Sequence, residues 1–198
     1  MKTRRFLLIL LACICIPFSL WSNPIDGLLE RICPGASHKF IIQLQKGEND
    51  FFELDQKGNK VVIRGNNYVN IATGLNWYLK YYAGIHLSWN GMTAQLPESL
   101  PKVDTPVRKE TNLSLRYDFN YCTYSYTMAF WDWNRWEKEI DWMALHGINL
   151  PLTVVGQECV WKNMLAKLGY TKEEINKFIA GPAFLAWWAM NKIGRAHV

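Results

Sequence analysis

The stretch DWNRWEKEIDWMALHGINLPLTVV, residues 132–155, decides the fold class. Asp132 is a predicted helix N-cap, and apolar residues recur at helical spacing after it until Gly147, a typical C-cap residue. Residues 148–155 are almost continuously apolar, which predicts a strand buried on both faces. With another strand predicted at 113–117, the order is that of a βαβ unit. The apolar stripe of the helix consists of Trp133, Trp136, Ile140, Met143 and Ala144.

A further half repeat follows this unit. Gly156-Gln157-Glu158 ends the second strand, and residues 160–168 are predicted to be helical. Thr171 and Glu174 form a capping box that opens another helix, predicted to continue through Ile179. One and a half βα repeats are therefore visible, as at the start of a larger parallel sheet.

The preceding residues, 23–106, predict a small α/β domain with a different rhythm. Strand and helix patterns alternate there over short distances. Prolines at 97, 101 and 106 and the charged residues 108–110 predict a linker, which places the domain boundary at residue 106. The predicted elements are a helix at 25–32, strands at 40–45, 51–55, 60–64 and 85–89, and a helix whose apolar face spans 71–82, stopped by Gly84. Residues 56–59, which include Gly58, are predicted to form a hairpin turn.

Residues 1–22 have the pattern of a secretory signal. A positively charged start precedes an apolar run at 6–20, which is too short to span a bilayer comfortably. Cleavage is expected after Ser22. The residues around Cys13 also resemble a lipoprotein cleavage box, but the apolar run continues beyond it, which favours soluble export to the periplasm or the outside over a lipid anchor. No transmembrane segment is predicted.

Composition excludes several classes of protein. Of 198 residues, 49% are hydrophobic and 20% charged, so the chain is not intrinsically disordered. Removing residues 1–22 takes away three basic residues and no acid, so the net charge falls from +5 to +2, which argues against a nucleic-acid partner. Ten Trp, nine Tyr and nine Phe suit either sugar binding or an aromatic core. The remaining cysteines lack metal-ligand spacing, so no metal site is expected. No P-loop or dinucleotide-binding glycine pattern is present, so no cofactor is expected either.

Residues just after the strands of a βα barrel are the candidates for chemistry, because substrates bind at that edge. Asn120 either hydrogen-bonds a sugar or caps a turn. Cys122 has no base nearby in the sequence, so a Cys/His pair is disfavoured. Glu158 is either a general acid or, as we favour, a residue that stabilises the start of a helix. A glycosidase needs two carboxylates, and this segment offers no convincing second one. From the residues alone the chain is an exported sugar binder or a partial barrel.

Several long motifs carry a resemblance to a known family. RYDFNYCTYSY at 116–126, WDWNRWEKEIDWMALHGINL at 131–150 and GPAFLAW at 181–187 closely resemble the α-N-acetylglucosaminidases of glycoside hydrolase family 89. The shorter matches GQE at 156–158 and EIN at 174–176 fit the same pattern. The resemblance is continuous from residue 116 to about 191. Residues 23–106 resemble the small N-terminal domain of that family more weakly.

The resemblance implies an α/β chain with a small α/β N-terminal domain, followed at 107–192 by the first part of a (β/α)₈ TIM barrel that is truncated here. It implies an exoglycosidase that removes terminal α-linked N-acetylglucosamine from glycans. Asn120, Cys122, Trp187 and Met190 match the substrate-binding residues. The two catalytic glutamates of the family would lie beyond residue 198, so this chain holds neither the nucleophile nor the acid/base of the retaining mechanism.

Two further expectations concern the extent of the chain. Residues 193–198, IGRAHV, depart from the family pattern and read like a translated sequencing adapter, so we interpret them as a non-native tail. A barrel takes about 250 residues, so the 198-residue chain is expected to be inactive and prone to aggregate. The competing interpretation is a non-catalytic secreted protein that binds glycans.

Overall fold

The computed structural model describes residues 23–126, 128–153 and 155–179, which form a mixed α/β structure with two sheets. Residues 1–22, with the predicted signal and Cys13, and residues 193–198 lie outside the described part. The helices are α1 (Pro24–Ile32), α2 (Tyr68–Tyr81), α3 (Tyr121–Tyr126), α4 (Trp133–Leu145), α5 (Gln157–Lys167) and α6 (Lys172–Phe178). The strands are β1 (Phe40–Leu44), β2 (Asp50–Lys57), β3 (Lys60–Gly65), β4 (Val107–Thr111), β5 (Tyr117–Asp118) and β6 (Leu150–Pro151).

The first sheet has the order β1-β3-β2-β4, with β1 parallel to β3 and the other neighbours antiparallel. Gly58, with φ 60°, makes the tight turn from β2 into β3, as the sequence predicts. Strand β3 pairs along both edges, and its successive residues Val61, Val62 and Ile63 are all buried, so both faces of the strand are covered. Helix α2 begins at the N-cap Asn67 and lays Ile71, Leu75 and Leu79, all fully buried, into the core. The helices predicted at 25–32 and around 71–82 are confirmed.

Two predicted features between residues 85 and 110 are wrong. The stretch 85–89 is not a strand: it contains only an isolated bridge between Ser88 and Gly91. Its apolar side chain Leu87 is buried in the core without a ladder, so an apolar run alone is not evidence of a strand. The charged residues 108–110 belong to β4, which pairs with β2, and not to a linker. Charged side chains are a common protection of edge strands against further pairing. The division at residue 106 remains a prediction.

The second sheet consists of β5 and β6 in the described residues, paired in parallel with Tyr117 opposite Leu150. The βαβ order is therefore confirmed. Each strand is only two residues long, and Leu150 is 41% exposed. The prediction of a strand over 148–155 buried on both faces is wrong, because the described residues provide no layer over its second face.

Helix α4 packs on the small domain mostly with residues outside its apolar stripe. Glu139, Asp141 and Leu145 are buried, whereas Trp133 of the stripe is 66% exposed. Leu145 joins the core of the small domain. The apolar stripe faces the β5–β6 side of the molecule, where Trp133 and Ile140 are exposed and Met143 is buried.

The predicted helix ends agree closely with the structure. Asp132 caps α4 by accepting a hydrogen bond from Arg135 N, and Gly147 follows the helix with φ 77°. Thr171 and Glu174 form both hydrogen bonds of the capping box. Helix α5 begins at Gln157, three residues before the predicted start. Within the described ranges, no helix combines the length and the apolarity needed to cross a membrane.

Candidate functional site

The candidate site lies at the carboxyl ends of β5 and β6. Because the strands are parallel, both ends lie at the same edge of the sheet. The backbone N–H of Leu152 donates to the carbonyl of Asp118 at 3.0 Å and continues the pairing one step past β6. Asn120 follows the first strand end, and Glu158 follows the second in the first turn of α5.

Phe119, directly after β5, has an unusual backbone. Its φ is 72°, and it is the only residue other than glycine with a positive φ in the described ranges. The carboxylate of Asp118 accepts a hydrogen bond from Phe119 N at 2.7 Å, which supports this conformation. Such strained residues are concentrated at functional sites. The sequence gives no sign of this feature, because a phenylalanine does not mark a left-handed position.

Asn120 opens helix α3 and is exposed. Its side-chain oxygen accepts a hydrogen bond from Thr123 N at 3.3 Å, and its carbonyl accepts one from Thr123 Oγ1 at 2.8 Å. The turn-capping role considered from the sequence is therefore present, and the sugar-binding role remains a prediction. Cys122 lies in α3 two residues further along. Trp187 and Met190 lie outside the described residues.

A group of aromatic rings braces this strand end. Phe119 packs edge-on against Tyr124 and Trp136, with centroid distances of 5.8 and 6.3 Å. Tyr124 stacks on Trp136 at 6.1 Å, and its hydroxyl donates to the carbonyl of Leu152. These contacts tie α3 to α4 and to the residue after β6. Sequence reasoning named Trp136 only as part of a helix stripe and did not include Tyr124.

An open cavity of about 620 Å³ lies between α4 and β6. All five residues of the apolar stripe of α4 line it. Sugar sites need several precisely placed polar groups, and this lining is almost entirely apolar, so we interpret the cavity as a packing surface. Its lining consists of Val69, Phe119, Tyr124, Trp133, Trp136, Ile140, Met143, Ala144, Ile148, Asn149, Pro151, Leu152, Thr153 and Val155.

Arg116, the residue before β5, is 17% exposed and connects the strand pair to the small domain. Its guanidinium lies 2.8 Å from the carboxylate of Asp50 in β2 and donates to the side chain of Asn70 in α2 at 3.2 Å. It also donates to the carbonyls of Leu113 and Gly147. Burial of Asp50 by itself raises the pKa of its carboxyl, but hydrogen bonds from Arg116 and Asn66 outweigh this effect, so the pKa is below its ordinary value.

Helix α4 is held to the small domain by two more polar contacts. Arg31 of α1 makes a two-pronged ion pair with Asp141, at 2.6 and 2.7 Å. The indole N–H of Trp89 donates to buried Glu139 at 2.6 Å, and Arg135 donates to the same carboxylate oxygen at 2.8 Å. The two carboxylates that α4 buries thus have partners. Through Asp141 and Glu139 the helix is joined to Arg31 and Trp89 of the small domain.

The thiols and metal-binding groups give no further site in the described part of the chain. No group of three or more His, Cys, Asp or Glu side chains there is arranged to hold a metal ion. Cys33 is buried, and burial raises the pKa of its thiol to about 11. Cys159, at the start of α5, is exposed.

Two family models match the chain, and together they cover most of it. Residues 23–102 match the N-terminal domain of alpha-N-acetylglucosaminidase, and residues 116–197 match its TIM-barrel domain. The fold class is therefore confirmed as a small α/β domain followed by the first part of a TIM barrel. The chain belongs to the alpha-N-acetylglucosaminidase family, glycoside hydrolase family 89.

The similar proteins are longer than this chain, which matches only part of each. Human alpha-N-acetylglucosaminidase is 47% identical over 176 residues, which are 85% of this chain and 24% of the human protein. A family 89 glycoside hydrolase from Clostridium perfringens, solved with 2-acetamido-1,2-dideoxynojirimycin, superposes with a TM-score of 0.81 at 41% identity, covering 86% of this chain and 20% of its own. The same hydrolase with two glutamates replaced by glutamine, solved with its substrate GlcNAc-α-1,4-galactose, gives a TM-score of 0.79 with the same identity and coverage.

Proposed function

We propose that a full-length enzyme carrying this sequence hydrolyses terminal α-linked N-acetylglucosamine from glycans. The observation that carries the proposal is the 41% identical superposition on a hydrolase solved with GlcNAc-α-1,4-galactose. The chain spans 20% of that hydrolase and 24% of the human enzyme, so the activity is proposed for the longer protein.

This chain would supply one wall of the sugar pocket. Asn120 and Cys122 would lie beside the sugar at the end of β5, with Trp187 and Met190 further along the chain. The side-chain amide of Asn120 can both donate a hydrogen bond to a hydroxyl or acetamido group and accept one from it, which suits the residue for this role. The strained backbone of Phe119 and the rings around it hold this end of the strand in place.

The chemistry would come from residues beyond 198. A retaining glycosidase uses two carboxyl groups about 5–5.5 Å apart, one as nucleophile and one as acid/base. The buried acids Glu139 and Asp141 bind Trp89, Arg135 and Arg31 where α4 meets the small domain, so we assign neither of them a catalytic role. We therefore propose that the 198-residue chain has no hydrolase activity of its own.

The test is release of 4-nitrophenol from 4-nitrophenyl α-N-acetylglucosaminide. The full-length enzyme is expected to release it, and the 198-residue chain is not. The matched β-anomer serves as control and is expected to remain intact. If the full-length enzyme binds the α-glycoside without cleaving it, the protein is a glycan-binding protein and the proposal is wrong.

We also propose that residues 1–22 direct export. The support is their charged start and apolar run. N-terminal sequencing of the protein from a secreting bacterial host is expected to give Asn23 as the first residue. A start at an acylated Cys13 would show a lipid anchor instead, and a retained Met1 in the cytoplasm would contradict export.

A further inference from the structure

Arg116 makes an unusual number of contacts for one side chain. Its guanidinium reaches four different parts of the chain: the start of β2, helix α2, the turn after α4, and the segment that leads into β5. The backbone of Arg116 also holds β6, because its carbonyl accepts hydrogen bonds from Asn149 N and Leu150 N, both at 3.1 Å. Its N–H donates to the side chain of Asn149 at 2.8 Å.

We propose that Arg116 is a positioning residue, which fixes the β5–β6 pair and the Asn120 strand end on the small domain. The strand pair is too short to fix itself, since only two residues of each strand are paired. A shift of one residue in a strand turns its side chains to the opposite face. Asn120 is only four residues beyond Arg116, so a displacement of Arg116 would also displace the strand end.

An arginine suits this task better than a lysine. The planar guanidinium carries five N–H donors in a fixed fork, and the four partners of Arg116 approach it from different elements. A lysine at this position would keep the charge opposite Asp50 but would leave several of these acceptors without a donor. Because the position is mostly buried, each acceptor left without a donor destabilises the folded chain more than it would at the surface.

Amide hydrogen exchange on the full 198-residue chain tests the placement without reference to activity. Arg116→Lys is expected to speed exchange at Leu150 and Leu152 by about tenfold or more, while the amides of Val61 and Ile63 in β3 keep their protection. Arg108→Lys is the matched control, because Arg108 pairs with Glu53 of β2 and Glu110 of β4 and, among the described residues, forms no ion pair with β5. Unchanged exchange at Leu150 and Leu152 would overturn the proposal.

If the Arg116→Lys variant loses amide protection throughout the chain, the milder substitution Asp50→Asn tests the positioning role instead. It leaves Arg116 in place and removes only its charged partner. Faster exchange at Leu150 and Leu152 with a protected β3 would support the proposal, and equal acceleration in both sheets would refute it.

A kinetic test of the same residue rests on the proposed function. In the full-length enzyme, Arg116→Lys is expected to raise KM for the α-glycoside about tenfold and to leave kcat within about twofold, because a misplaced pocket wall weakens binding and the catalytic glutamates lie elsewhere. A purely structural role would lower the active fraction, and therefore kcat, at unchanged KM. If the unsubstituted enzyme is inactive, the proposed function fails while the exchange result still decides the role of Arg116.

Discussion

The small domain and the barrel region that follows it both contain many apolar residues, but they bury these residues to very different extents. In the small domain, a four-stranded sheet and two helices bury a continuous core, in which Leu75 and Ile63 have no exposed surface. In the second region, two strands of two residues each pair, and Trp133, Val160 and Leu168 are each about two thirds exposed. Apolar composition alone therefore does not produce burial. An element needs a partner layer, and within the described residues the second region has a much smaller buried core than the first.

Helix α4 links the two regions because its faces belong to different cores. Leu145 completes the core of the small domain, and Asp141 pairs with Arg31 of the same domain. The opposite face contributes its apolar stripe to the open cavity beside β6. Helix α4 of the barrel region thus packs on the small domain, and the stability of the chain should be concentrated in that domain.

The largest expected effect contrasts two leucines. Leu75→Ala removes a fully buried side chain and is expected to lower the free energy of unfolding by about 2–5 kcal/mol. Leu168→Ala, at a position that is 67% exposed, should change it by less than about 0.5 kcal/mol. Urea unfolding followed by circular dichroism measures both. Equal losses would mean that the two regions do not differ in packing.

The next effect concerns the ion pair that holds α4 on the small domain. Asp141→Asn breaks the two-pronged pair with Arg31 and is expected to cost about 1–2 kcal/mol, a value reduced because Arg31 is 41% exposed. A double-mutant cycle with Arg31→Gln isolates the coupling from other losses. A coupling energy of zero would show that this ion pair does not hold the helix.

A smaller effect follows from the lowered pKa of Asp50. Its stabilising contribution should be complete above the ordinary aspartate pKa of about 3.9 and lost as the pH falls through the lower pKa of the folded state. Asp50→Asn should be less stable by about 1 kcal/mol at pH 7 and should show a flatter loss of stability below pH 4. Urea midpoints between pH 2 and pH 7 provide the comparison. An unchanged slope would contradict the assignment.

The smallest expected effect is a difference in reactivity between two thiols, neither of which is substituted. Burial raises the pKa of the Cys33 thiol to about 11, so at pH 8 it is protonated as well as inaccessible. Cys159 is exposed and should be alkylated by iodoacetamide in the folded chain, whereas Cys33 should react only after unfolding. Peptide mass spectrometry separates the two sites. Rapid labelling of Cys33 in the folded chain would show that the small domain opens easily.

Local signals in the sequence predicted much of the fold. The caps Asp132 and Thr171 and the glycine turn at Gly58 depend on chemistry within a few residues, so they were predicted correctly. The apolar stripe of α4 was also correct as a helical pattern. The docking of this helix was not predicted, because it uses Glu139 and Asp141, whose partners Trp89 and Arg31 lie about 50 and 110 residues away.

The candidate site shows the same limit. Its place after β5 followed from the βαβ order, and Asn120 followed from its position at the strand end. Nothing in the sequence marked the positive φ of Phe119 or the contacts of Arg116 with Asp50 and Asn70. These features arise from long-range packing, which periodicity and turn chemistry do not encode.

The most direct test of the account is the substitution Asn120→Asp in the full-length enzyme. Aspartate caps a helix as well as asparagine does, so the hydrogen bond to Thr123 N and the melting temperature should be retained, while the amide donor for the sugar is lost. The account predicts that kcat/KM for the α-N-acetylglucosaminide falls about tenfold or more, with Asn163→Asp on exposed α5 as the unaffected control. An unchanged kcat/KM would mean that Asn120 only caps its helix and that this strand end is not a wall of the sugar pocket.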